Sequence, residues 1–251
     1  MIDNFALGPK AAFAGYGLEH VKTTPSTNQL AFEYIAKMAN DETASSDSKT
    51  GIWFVADQQT KGRGRLGRTW LSKEGNLTAS LLLVLPKQSQ SLQVLSFVAA
   101  IALGDAIDEI LDEESKNNLK LKWPNDLLFF GGKLAGILTE AQMLGDGRYA
   151  IIIGFGVNIK SAPEGIAYPV SAICQSGANV TEQSLFVALC DSWHQKFSLW
   201  NYGRGSKEVL TQWRNRAFGI GKPINVNQSG KILNGVFYDI DDTGRLVLLQ
   251  E

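Results

Sequence analysis

The ten residues Lys61–Trp70 read Lys-Gly-Arg-Gly-Arg-Leu-Gly-Arg-Thr-Trp, with three arginines and three glycines inside Gly62–Arg68. A guanidinium presents a planar fork of donors that matches carboxylate and phosphate oxygens. Glycine lets backbone N–H groups come close to a ligand and adopt positive φ. Successive N–H groups in such a loop form an anion-binding concavity. The chemistry on offer is therefore capture of an anion. The same composition also suits a solvated basic turn or a flexible RNA-binding segment. Three glycines disfavour a helix, and no apolar alternation argues for a strand, so the stretch reads as a loop.

Four further groups of residues have the right types to work with it. Ser26-Thr27-Asn28-Gln29 follows Pro25 and reads as a helix cap or as short polar side chains around a polar ligand head. Gln59 offers an amide donor and acceptor at the entrance to the loop. Lys120–Leu127, Lys-Leu-Lys-Trp-Pro-Asn-Asp-Leu, places Lys120 and Lys122 on one face of a strand, either solvated or facing an anion as point charges. Gly136, Gly154 and Gly156 interrupt strand patterns, which marks bulges or a slot where a ligand approaches the sheet. His20 and His194 are isolated, with no Ser/His/Asp or Cys/His arrangement around them. No phosphate loop ending in lysine–serine/threonine is present.

The elements that position these residues follow from patterning. Strands are expected at Tyr16–Thr24, Gly51–Gln59, Asn76–Leu85 and Leu119–Trp123, the last continuing after a break at Asn125–Phe130. A hairpin is expected from Lys133–Gln142 and Tyr149–Val157. Helices are expected at Asn28–Asn40, Leu92–Leu111, Thr181–Trp200 with Thr181 as cap, and Ser206–Arg216. Asp41–Thr50 reads as a surface loop and Ser161–Gly177 as irregular. After Gly219 short strands at Ile224–Val226, Lys231–Tyr238 and Arg245–Leu249 suggest a small β appendage. Strand-rich order with interspersed helices favours an α+β fold over regular βαβ winding.

The chain has 251 residues and is 44% hydrophobic, enough for a sizeable core. A net charge of −1 argues against a protein that coats nucleic acid. Its two cysteines, Cys174 and Cys190, give no disulfide framework and are expected to be buried. With no signal-peptide pattern in Met1–Gly15 and no long apolar run, the expected location is cytoplasmic, with no membrane span.

Taken together, Ser26-Thr27-Asn28, Gln59, Gly62–Trp70, Lys122-Trp-Pro-Asn-Asp-Leu127, Lys133-Leu-Ala-Gly-Ile-Leu138 and Gly154-Phe-Gly-Val-Asn158 resemble the biotin–protein ligases in order and spacing. The resemblance runs from Gly17 to the C-terminus. It implies a mixed or antiparallel sheet with packed helices, related to class II aminoacyl-tRNA synthetases, followed by a small SH3-like β domain. The division implied is 1–216 and 217–251. The activity implied is that of a biotin–(acetyl-CoA-carboxylase) ligase. Biotin and ATP, with Mg²⁺, form biotinyl-5′-AMP, and biotin passes to a lysine of a biotin carboxyl carrier domain.

By motif position, Ser26, Thr27, Asn28 and Gln59 border the biotin head. Arg63, Gly64 and Arg65 close over the carboxylate and phosphates. Arg68, Trp70 and Asn158 serve the nucleotide. Lys122 bridges the carboxylate and the α-phosphate, and Gly136 and Gly156 leave room for the tail. Asn125 or Asp126 would assist the metal, with no ligand set assigned.

The sequence departs from the family in three places. No helix-turn-helix precedes Gly17, so repression and DNA binding are not expected. Lys61 stands where a small residue is common. The chain stops after about three appendage strands, so that domain is read as abbreviated. Monomer and homodimer both stay open. A lipoate or octanoyl ligase or transferase shares the fold, and a non-catalytic nucleotide- or RNA-binding module is the alternative from another class.

Overall fold

A computed structural model describes residues 5–40, 50–228 and 230–250. The loop expected at Asp41–Thr50 lies, apart from Thr50, outside them. In chain order the elements are α1 (Pro9–Phe13), β1 (Gly17–Thr24), α2 (Thr27–Asn40), β2 (Ile52–Gln59), β3 (Leu77–Leu85), α3 (Leu95–Asp108) and α4 (Glu113–Lys116). These are followed by β4 (Leu119–Lys122), β5 (Asp126–Phe129), β6 (Gly132–Met143), β7 (Tyr149–Val157), α5 (Glu182–Trp200), α6 (Ser206–Asn215), β8 (Pro223–Gln228), β9 (Lys231–Ile240) and β10 (Leu246–Leu249).

Seven strands form one mixed sheet in the order β1-β2-β3-β7-β6-β5-β4. Only β1 and β2 run parallel; the other pairs are antiparallel. The last three strands make a separate antiparallel sheet, β10-β9-β8. The α+β architecture with a small β appendage is the one expected. One strand departs from expectation. Asp126–Phe129 does not continue β4 but turns back against it, pairing Lys122 with Asp126. The cis Trp123-Pro124 peptide lies in that turn.

The central strands read as unbroken apolar runs because both faces of the sheet are covered. Trp53 and Val55 of β2, Leu81 and Leu83 of β3, and Ile151 and Ile153 of β7 join a large core with α3, α5 and α6. The alternate residues Ile52, Phe54, Leu82, Ala150 and Ile152 meet α2 on the opposite face with Ala31 and Ile35. Strand alternation thus builds two cores from one run.

Along that second face the residue types change abruptly. Two positions from Leu82 stands Ser80, then Thr78; two from Ile152 stands Gly154, then Gly156. Gly156 pairs with Gly136 on β6 and with Thr78 on β3. Apolar residues anchor α2, and small or polar ones begin where its first turn ends. The face is left shallow there, and that is where the candidate residues gather.

Candidate functional site

A cavity of about 1010 Å³ opens beside the first turn of α2. It is walled by the arginine–glycine loop, the β4–β5 turn and the small C-terminal sheet. Among the described residues lining it are six cations, Arg63, Arg65, Arg68, Lys122, Lys133 and Arg245, and one carboxylate, Asp126. Such an excess concentrates positive potential in a cleft with low-dielectric walls.

The floor is built from α2 and the neighbouring strands. Ser26, Thr27 and Asn28 are buried. The backbone N–H of Thr27 donates to Gln59 Oε1 at 2.8 Å, and its hydroxyl lies 3.2 Å from the same oxygen. Ser80 Oγ lies 2.6 Å from both Thr27 Oγ1 and Asn28 Oδ1. Asn28 Nδ2 then donates to Glu140 Oε2 at 2.7 Å. Five polar side chains from four elements, α2, β2, β3 and β6, thus fix one another, a network that holds a single arrangement in a low-dielectric setting.

The loop is a closed excursion. Gly64 N–H donates to Arg68 O, Arg68 N–H to Arg65 O and Trp70 N–H to Gly62 O, at 2.7, 3.2 and 2.9 Å. These three amides serve the loop itself, so the expected N–H concavity is not drawn from them. The turn at its tip puts Leu66 and Gly67 at φ of 56° and 72°, and Leu66 projects into solvent, 88% exposed. Its arginines are held by one polar contact each at most. Arg63 pairs with Glu140 at 3.2 Å and Arg65 donates to Asn125 Oδ1 at 2.9 Å. Arg68 has no side-chain partner among the described residues.

Trp123 and Asn125 of the β4–β5 turn, and Asp126 just after it, each tie down a neighbour. Trp123 Nε1 donates to Gly244 O of the C-terminal sheet at 3.0 Å. Asn125 bonds β6 through Ile137, by its backbone oxygen and its side-chain amide. Asp126 holds Lys133 at 2.8 Å. Behind the turn, Leu121 exchanges backbone hydrogen bonds with Arg216 and Phe218. Lys122 stands exposed on the cavity wall, its side chain with no hydrogen-bond or ion-pair partner among the described residues.

Most expected residues are thus brought together: Ser26, Thr27, Asn28, Gln59, Arg63, Gly64, Arg65, Arg68, Trp70, Lys122, Gly136 and Gly156 all line the cavity. Asn158 does not. It is buried in a small adjoining pocket shared with Trp70, Lys133 and Tyr168, where its Nδ2 donates to Ser171 O at 3.0 Å. Its Oδ1 has no partner among the described residues.

The glycines do not stand open either. A Cβ on Gly156 would lie 2.3 Å from the Trp70 indole, and one on Gly154 would lie 2.4 Å from Asn28 Oδ1. Side chains of the protein thus lie close against two of the three sheet glycines that line the cavity. Asn125 Oδ1 accepts from Arg65 and Asp126 Oδ1 meets Lys133, and no group of three or more His, Cys, Asp or Glu among the described residues forms a metal cluster.

The two isolated histidines prove structural: His20 meets Asp57 at 2.6 Å, and His194 packs edge-on against Tyr16. Cys190 is buried as expected, but Cys174 is exposed. Ser80, Glu140, Lys133 and Arg245 were not among the expected site residues. Ser80 had one signal, a polar residue inside the apolar run of β3, and Glu140 ended a glycine-bearing block. Arg245 had none.

Comparison with known proteins is consistent with this geometry. The model of the biotin/lipoate A/B protein ligase family matches residues 21–158, more than half of the chain. The model of the biotin protein ligase C-terminal domain matches residues 219–251. The biotin–(acetyl-CoA-carboxylase) ligase of Paracoccus denitrificans is 34% identical over 205 residues, 78% of this chain and 83% of that protein. Its counterpart from Mycobacterium tuberculosis is 27% identical over 98% of this chain and 90% of its own. A biotin protein ligase from Aquifex aeolicus, solved with biotin and ATP, superposes with a TM-score of 0.74 at 26% identity. The match covers 94% of this chain and 92% of that one.

Proposed function

Because the chain belongs to the biotin/lipoate A/B protein ligase family, as a biotin protein ligase, we propose how its own residues divide the work of that enzyme. Biotin carboxylate attacks the α-phosphorus of ATP and expels pyrophosphate, giving biotinyl-5′-AMP. The lysine amine of a biotin carboxyl carrier domain then attacks the acyl carbon and expels AMP. The first step requires two anions to meet. Cations gathered at that meeting point offset their repulsion. The convergence of six cations on one cavity is the observation that carries this assignment.

Lys122 is assigned the bridge between the carboxylate and the α-phosphate. A charge already neutralised by a protein carboxylate would do this poorly, and Lys122 has no such partner. Arg63, Gly64 and Arg65 close over the carboxylate and phosphates, with Arg68 toward the nucleotide. Ser26, Thr27, Asn28 and Gln59 meet the polar head of biotin, and Gly136 and Gly156 flank its tail. Buried polar partners of this kind discriminate against analogues lacking the matching group.

Trp70 and Asn158 are assigned to the nucleotide base. The unpartnered Oδ1 of Asn158 supports this, once the indole moves off Gly156. Mg²⁺ arrives with ATP, held by phosphate and water as this ion usually is, since Asp126 is already bound to Lys133. The carrier domain, the division at 216/217, cytoplasmic location and a monomeric or dimeric state belong to the same proposal.

The lipoate or octanoyl alternative has less support. The C-terminal domain model and the matched relatives are of biotin ligases. The test is direct: incubate the protein with biotin, MgATP and a carrier domain and weigh the carrier. A biotin-dependent mass gain on its lysine is expected. No gain with biotin, but one with lipoate, would overturn the assignment.

A further inference from the structure

Glu140 stands outside the cavity's lining, yet it joins the two halves of the site. Its Oε2 accepts from Asn28 Nδ2 at 2.7 Å and from Arg63 at 3.2 Å. One contact belongs to the floor beneath the proposed biotin head, the other to the loop proposed to close over the carboxylate. Arg63 and Glu140 have side chains 47% and 26% exposed, so their attraction is screened and exchangeable. A glutamate carboxylate is also the chemical equal of the carboxylate that biotin brings.

We propose that Glu140 is a positioning residue, an internal carboxylate that holds Arg63 in the ligand-free protein and yields it to the carboxylate of biotin. The inference rests on the biotin-ligase reading above. It explains how the cation is kept oriented before substrate arrives. It also explains why the exchange leaves no orphan: when Arg63 departs, Glu140 retains the charge-assisted hydrogen bond from Asn28. The same bond links occupation of the head pocket to release of the loop.

The test compares biotin with biotinol, which keeps the rings and tail but ends in an alcohol. Both are titrated calorimetrically into the full-length wild type and E140Q. The carboxamide still accepts from Asn28, whereas the ion pair to Arg63 is gone. Biotin should bind E140Q about two- to fivefold more tightly, the scale of one exposed ion pair no longer competing. Biotinol, with nothing to exchange, should bind both proteins alike. In an Arg63→Met background the substitution should lose its effect on biotin. Equal weakening of both ligands would make Glu140 only a support for Asn28 and overturn the proposal, as would no change in either. Wild type that binds neither ligand would instead overturn the biotin-ligase reading itself. Thermal melting by circular dichroism checks folding; if E140Q is unfolded, comparing Arg63→Met with wild type on the two ligands decides. Loss of its preference for biotin would support the exchange, and an unchanged preference would overturn it.

Discussion

The floor of the cavity and the loop above it use polar groups in opposite ways. In the floor, Gln59, Thr27, Ser80 and Asn28 are brought from α2, β2 and β3 into one chain of short contacts. Every dipole there is set before a ligand comes. In the loop, the arginines are exposed and have one polar partner or none. The difference follows from what each region must recognise. A neutral head with fixed donors and acceptors calls for a rigid, satisfied surround, because a buried polar group without a partner costs more than the bond is worth. Mobile phosphates and a carboxylate call for charges that can be redirected.

Lys122 belongs to neither region, and replacing it should have the largest effect. Lys122→Ala is expected to slow biotin-dependent pyrophosphate release at least about tenfold and up to a thousandfold, the range for a preorganised charge contact. Its melting temperature should stay near that of wild type. Stopped-flow release with a phosphate sensor and pyrophosphatase would read the rate, and an unchanged rate would remove Lys122 from the chemistry.

Two glycines of β7 sharpen the contrast between floor and loop. A methyl group on Gly154 meets Asn28 Oδ1 at 2.4 Å, and one on Gly156 meets the Trp70 indole at 2.3 Å. Asn28 is pinned by the network, so Gly154→Ala should cost about 1–3 kcal/mol of stability, as overpacking does, and weaken biotin. Trp70 is only half-buried and makes no side-chain hydrogen bond among the described residues. Gly156→Ala should therefore unfold at nearly the wild-type denaturant midpoint while losing nucleotide affinity. Equal stability losses in the two variants would erase the distinction.

Comparable or smaller effects are expected at the edges. Ser80→Ala should lower stability by about 1–3 kcal/mol, the scale of losing its two buried hydrogen bonds, measured by urea unfolding. Arg65→Ala should change stability by less than about 0.5 kcal/mol. Its mark should instead be faster escape of preformed biotinyl-5′-AMP, followed by filter binding. A large stability loss in Arg65→Ala would mean that the loop is as fixed as the floor.

Much of this molecule could be read before its coordinates. The apolar runs of β2, β3 and β7 announced buried strands, and Thr181 announced the start of α5, where its side chain accepts from Ser184 N–H. The reversal at Trp123–Asn125 was not legible, because a break in a strand does not reveal its new direction. The loop, Lys122 and the polar start of α2 were visible as residue types in a suggestive order. Ser80 and Glu140 gave only faint signals, since their roles come from partners 52 and 112 residues away in the chain. The glycines announced a shallow stretch of sheet for a related reason: a missing side chain signals room for a close approach, but not that Trp70 and Asn28 are the groups that make it.

The central claim is that Lys122, left unpaired by its turn, stands where carboxylate and phosphate must meet. A crystal structure with biotin and a non-hydrolysable ATP analogue tests it most directly. The account predicts Lys122 Nζ within about 2.7–3.2 Å of a biotin carboxylate oxygen and an α-phosphate oxygen at once. Both ligands bound in the cavity with Lys122 pointing to solvent would contradict it.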